Sequence, residues 1–244
     1  MKKLIWLLLL LLLLSGCKDK PPNETTAPTG STQDSLTETL PMDIFEPEIS
    51  INQEIASTAT VYVEEPTLSI LDYGSFKGVF VEDGTDEKVE DVACMLVRNT
   101  TDQYLDYGVI TADINGKENT FVVTGLPGGT TAWVLEQNRT PLGKGESFQY
   151  KDQTVSELRD DIRFEDERVQ VELQKGSIRI KNLSDKTLGS VRVYYKQVHS
   201  DGNLLGGITY TTKSDAIEPG QTVEIPAGHS TEENCCVVRI DITE

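Results

Sequence analysis

Cations, histidine and long hydrophobic segments are scarce in this 244-residue chain. Lysine and arginine number 22 against 40 aspartates and glutamates, a formal net charge of −18 at pH 7. A surface that binds phosphate needs cations to displace phosphate counterions, so this balance argues against nucleic acid, anionic headgroups or anionic wall polymers as partners. Only two histidines occur, His199 and His229, in the turn-rich stretches "QVHSDGN" and "PAGHSTEEN". With no Gly-x-Ser-x-Gly elbow and no His-Glu-x-x-His helix, no catalytic residue is assigned, and both are expected to be surface or turn residues. No His or second Cys stands at ligand spacing, so no metal or cofactor is expected. A sustained helical period is missing as well.

The longest apolar run is "LIWLLLLLLLL", residues 4–14, preceded by Lys2 and Lys3. At eleven residues it is shorter than the ~20 needed to cross a bilayer as a helix, and it reads as an export signal. The step that follows, Leu14-Ser15-Gly16-Cys17, resembles the bacterial lipobox. That resemblance implies a signal peptide over 1–16, diacylglycerol on the Cys17 sulfur and a lipid-anchored protein on the extracytoplasmic face of the cell membrane. Multiple acyl chains make such an anchor stable where one is marginal. Loss of Lys2 and Lys3 would leave 20 basic and 40 acidic residues, a net charge of −20.

Residues 17–58 are rich in Pro, Thr, Ser and acid, a composition that cannot bury enough apolar surface to offset its ordering entropy. They are expected to form a disordered tether of about 40 residues with an r.m.s. reach of ~35 Å. From residue 59 the chain changes to short β-branched and aromatic runs between Gly, Asn, Asp and Pro turns, the pattern of antiparallel sheets. "VSELRDDIRFEDE" at 155–167 is expected to be an exposed loop, its acid spread along its whole length.

The two halves of this region can be superposed. Asn99, Asp102 and Leu105 lie 83 positions before Asn182, Asp185 and Leu188, and "GLPGGTTAWV" around Pro127 recurs as "IEPGQTVEI" around Pro219, 92 positions on. The nine-residue difference is placed in "HSDGNLLGG". Two modules are expected, over 59–173 and 174–244. The second, with its Asn turn, "SVRVYYKQV", Gly-Asn hairpin and Pro-Gly turn, resembles the FxLYD-type immunoglobulin-like domains of bacterial lipoproteins, although "VRVYYK" stands where the name motif would be. The folded region as a whole resembles uncharacterised two-module surface lipoproteins. The resemblance implies an all-β fold of two tandem immunoglobulin-like sandwiches, and no reaction.

Several side chains are candidate sites. Cys94 and Cys236 are expected to be buried as small hydrophobes, with Cys236 sharing an apolar face with Val238, Ile240 and Ile242; a vicinal bridge between Cys235 and Cys236, or a link from the last strand to Cys94, is the alternative. Asp83, Asp86, Glu87, Glu90 and Asp91 could supply calcium ligands, but their spacing departs from the EF-hand and a solvated hairpin tip is expected. The carboxylates of 159–167 could form an acid pair for glycoside hydrolysis only if a cleft brought them together. Trp133 is expected in the core, with one of Tyr194 and Tyr195 packed and the other exposed. Asn99, Asn138 and Asn182 open Asn-x-Ser/Thr triplets for which a turn role suffices. The function expected is a non-catalytic binding or presentation module that contacts an envelope protein or peptide. A structural subunit of an envelope assembly is the alternative, and an acid-pair hydrolase the weaker one.

Overall fold

The computed structural model describes residues 53–59, 63–231 and 233–243; the expected signal peptide, Cys17 and most of the expected tether lie outside them. The chain is all-β, as expected. The strands are β1 (Glu54–Ala59), β2 (Leu68–Val79), β3 (Lys88–Asn99), β4 (Tyr104–Ile114), β5 (Lys117–Leu126), β6 (Thr131–Leu135) and β7 (Phe148–Arg159) in the first half. The second half contributes β8 (Val169–Gln174), β9 (Ser177–Asn182), β10 (Ser190–Val198), β11 (Leu204–Lys213), β12 (Thr222–Pro226) and β13 (Cys235–Thr243). β1 overlaps the segment expected as tether, and β8 straddles the expected 173/174 boundary.

Each half repeats one arrangement of six strands. β2-β3-β6 and β5-β4-β7 form the two sheets of the first, and β8-β9-β12 and β11-β10-β13 those of the second. Alternation along the strands builds the cores. In the first, Leu68, Ile70, Met95, Val97 and Val134 face Leu105, Ile110, Phe121 and Val123. In the second, Ile178 and Ile180 face Val191, Val193, Tyr195 and Ile240. Two long strands depart from the sequence pattern. β2 and β7 carry β-bulges or register shifts, for example between Ile70 and Asp72 and opposite Thr111 and Ala112, and these reset the phase that makes a strand legible. Residues 155–159, expected in a loop, therefore belong to β7.

The duplication extends to single hydrogen bonds. Both Asn99 and Asn182 are fully buried. Asn99 Nδ2 donates to the carbonyls of Gln103 (2.8 Å) and Leu126 (3.0 Å), while its Oδ1 accepts from the Thr101 amide and hydroxyl. Asn182 does the same with Lys186 (2.8 Å), Ile217 (2.9 Å) and Ser184. In the returning turn, Gly129 N bonds to Asn99 O and Thr130 N to Pro127 O, matched by Gly220 N to Asn182 O and Gln221 N to Glu218 O. Pro127 thus corresponds to Glu218, 91 positions on, one fewer than the Pro219 alignment. The difference of eight is distributed: loop 199–203 is three residues longer than turn 115–116, four residues (214–217) follow β11, and one lies before the end of β10.

The halves are fused by one sheet. β6 pairs in parallel with β11, which makes a seven-stranded sheet β1-β2-β3-β6-β11-β10-β13. Only Leu204↔Ala132 and Leu205↔Trp133 form this pairing. Where it ends, side chains take over the backbone groups that would otherwise be unpaired. Glu82 accepts from the amides of Leu135 (2.9 Å), Gly207 (2.7 Å) and Ile208 (3.0 Å). Lys196, with no exposed surface, donates to the carbonyls of Thr124 (3.0 Å), Gly207 (3.1 Å) and Ile208 (2.5 Å). Burial pushes the Glu82 carboxyl up, opposed by the amides and Lys196, and pushes Lys196 down to about 8, opposed by Glu82. Gly207 is required because β5 crosses here: a Cβ would collide with the Val122 carbonyl.

Candidate functional site

The connection from β2 to β3, residues 80–87, is an arm that crosses from the first half to the second. Tyr210 Oη donates to Val81 O at 3.0 Å, and Asp86 lies 3.1 Å from His229 Nδ1, whose ring stacks on Tyr210. Arg139 lies over the Phe80 ring and pairs with both Asp83 and Glu87. Glu90 pairs with Lys77 at 3.1 Å. The acidic tip is exposed, as expected, and in addition Arg139, Lys77 and His229 from elsewhere in the chain contact Asp83, Glu87, Glu90 and Asp86. Among the described residues no group of three or more His, Cys, Asp or Glu could hold a metal.

Other placements also differ from the sequence reading. His199 stands at a turn, as one of the two expectations had it, its carbonyl accepting from Gly202 N at 2.9 Å, but its side chain is buried, with Nε2 3.3 Å from Gln53 O and Nδ1 3.0 Å from Asp201. Trp133 is buried as expected and donates to Asp201 at 2.9 Å. Burial raises the Asp201 carboxyl, but the bonds from Trp133, Asn203 and His199 outweigh it and leave it well below the usual range. Tyr195 is buried; Tyr194 is half-buried beneath the Arg239 guanidinium. Asn138 is exposed, bonded to Glu136.

Cys94 is buried as expected, and Cys94, Cys235 and Cys236 are free thiols. The face assignment at the end of the chain needs correction. A register shift opposite Tyr194 and Tyr195 flips the phase of β13, so Cys236 and Val238 meet the first core while Cys235, Val237, Ile240 and Ile242 meet the second. Both faces of the first part of β13 are apolar because each meets a different core, and beyond the shift Arg239 and Asp241 occupy one face. Burial raises the thiols of both Cys235 and Cys236, keeping them in the protonated, weakly nucleophilic form.

A cleft of about 640 Å³ opens where the halves meet. Five separate segments line it. Asp102 and Tyr104 come from the Asn99 turn, Pro127, Gly128, Thr130 and Thr131 from the returning turn, and Arg159, Asp160, Ile162 and Phe164 from the connection between the halves. Gly202 and Leu204 precede or open β11, and Cys236 to Val238 form the displaced part of β13. Gly128 lets the first two segments meet, since a Cβ there would lie 2.5 Å from the Asp102 carbonyl carbon. Phe164 is 44% exposed, one of only three large hydrophobics in that state among the described residues, and its ring is 6.4 Å from that of buried Tyr104.

Charge around the cleft is organised by two arginines. Asp106 joins Arg159 (3.3 Å) to Arg239 (3.0 Å); Asp161 completes Arg159 (3.1 Å) and Asp241 completes Arg239 (2.7 Å). Next to the cleft, Asp166, its side chain 2% exposed, is held by Arg168 (2.8 Å) and Arg163 (3.0 Å). Arg168 first, then Arg163, keep its carboxyl far below the usual range against the cost of burial. A depressed carboxyl contributes stability that is present above its unfolded pKa near 3.8 and is lost as pH falls below it. Asp166→Asn is therefore expected to cost about 2 kcal/mol at pH 7. In urea melts at pH 7, 4 and 2.5, the variant should lose less stability on acidification than the parent; parallel losses would show that Asp166 does not contribute this way.

The acids of 159–167 do not gather as a buried pair. Asp160 is the one that lines the cleft, where its carboxylate accepts from Gln103 Nε2 at 2.9 Å. The other cleft carboxylate, Asp102, carries no signal in the sequence beyond its place in the repeat. No family model, curated protein or solved structure matches the chain.

Proposed function

We propose that this is a lipid-anchored extracytoplasmic protein whose folded unit is a non-catalytic binding module, with the cleft between its halves as the contact surface. In this reading Cys17 carries the anchor, the following segment is the tether, and each half is an immunoglobulin-like sandwich of the FxLYD type. The observation that carries the reading is the open cleft with its exposed Phe164. Shared sheet and arm favour a preformed site, as is usual for ligand pockets. The acid balance supports a protein or peptide partner over nucleic acid. Acid-pair hydrolysis is the weaker alternative, because Asp102 and Asp160 are both exposed and lack the apolar enclosure that keeps a general acid protonated. A structural role in an envelope assembly draws support from the twelve-residue β7, which is an edge strand of its sheet.

Photo-cross-linking on intact cells tests the reading. A benzophenone side chain replacing Phe164 should give a discrete adduct with the anchored protein, and neither a Cys17→Ala background nor the same probe at exposed Leu183 should reproduce it. Equal adducts from both positions, or none from position 164, would overturn the cleft as the contact surface.

A further inference from the structure

We propose that the cleft receives a cationic side chain, arginine or lysine, on an extended peptide segment of the partner. This rests on the binding reading above and specifies the ligand chemistry.

The apolar part of the cleft is made by Leu204, Val238 and the exposed Phe164 ring. Asp102 and Asp160 enter from different segments. Among the described residues Asp102 makes no hydrogen bond or ion pair, and Asp160 has one oxygen bonded to Gln103 and no partner for the other. The cation that also lines the cleft, Arg159, is already neutralised by Asp106 and Asp161, and Arg239 beside it by Asp106 and Asp241. Counted together, Asp102, Asp106, Asp160, Asp161 and Asp241 outweigh the two arginines by three charges. An aromatic face next to unpaired carboxylates suits a group with an apolar stem and a cationic head: the stem lies along Phe164 and the head meets the two carboxylates. A volume of about 640 Å³ exceeds one side chain, which favours a peptide over an isolated amine. The net charge of −18 would also draw a basic segment in from a distance.

Fluorescence anisotropy with the full chain in detergent tests this at 0.15 M salt, using a dye-labelled Ser-Gly-Arg-Gly-Arg-Ser amide and its citrulline counterpart. The arginine peptide should bind at least tenfold more tightly. The pair Asp102→Asn and Asp160→Asn should abolish that preference, and Phe164→Ala should weaken binding several-fold. Asp185→Asn with Asp215→Asn removes as much charge at a distance and should change little. Equal binding of the citrulline peptide, or an equal loss with the remote pair, would overturn the proposal. Spermidine displacing the peptide at its own concentration would overturn the choice of a peptide. If the arginine peptide fails while the position-164 probe still captures a partner, the ligand chemistry is wrong and the binding reading stands. If both fail, both fall.

Discussion

Lys196→Ala is expected to lower stability by about 3–5 kcal/mol, measured as a shift of the urea midpoint, because it leaves a buried charge and several backbone groups unpaired. The side chain has no exposed surface and bonds three carbonyls at the point where the β6–β11 pairing stops. Its removal also strips Glu82 of the cation that opposes its desolvation. Replacing both members with groups of similar volume should be milder: Glu82→Gln with Lys196→Met should cost clearly less than the sum of the single changes, and this non-additivity identifies the pair as one unit. Additive costs would mean that the two act independently. The pH dependence has a defined sign. Lys196 is depressed from 10.5 to about 8 in the folded chain, so between those values the unfolded chain holds the extra proton and this group makes stability rise with pH. The raised Cys235 and Cys236 thiols act in the opposite sense. The comparison is therefore the parent minus Lys196→Met, and that difference should increase from pH 8 to 10.

The second large effect belongs to the duplicated asparagines. Asn99→Asp and Asn182→Asp should each cost about 3 kcal/mol, since the change replaces an amide that donates to two carbonyls with an oxygen that faces them. Both sites have the same bonds and the same complete burial, so the two losses should agree closely. A much smaller loss at one site would show that its turn is held by other groups. Far-ultraviolet circular dichroism at 5 °C should show that both variants still fold.

Much of the fold is legible in the sequence for reasons that these residues make plain. β9 and the second half of β4 alternate cleanly between buried and more exposed residues, and turn residues follow them. The duplication is visible because one asparagine side chain supplies both donor and acceptor to the turn at 99 and at 182, whereas the returning turn depends on backbone groups, which leave no residue signature, so its equivalent positions stand one residue away from the Pro-Gly match. β2 and β7 are obscured by their bulges, and the faces of β13 by the shift near Val238. The arm is invisible in sequence because its partners are distant: Asp83 and Arg139 lie 56 residues apart and Glu82 and Gly207 lie 125 apart. The cleft is invisible for the same reason, being assembled from five short segments none of which has a motif.

The two copies have ceased to be interchangeable. β6 is the fifth strand of its copy and β12 the fifth of the other, yet β6 is flanked on both sides while β12 is an edge that ends at Pro226, a residue without an amide to offer. The counterpart of the arm is the tight turn between β8 and β9, Lys175-Gly176, with no carboxylate to reach across. A third copy appended after the second would find the edge of β12, but no counterpart of Glu82 to hold it. The first copy is thus a socket, its arm and its β6 edge both engaged by the second, while the second has an edge strand but no acidic arm to secure another unit on it.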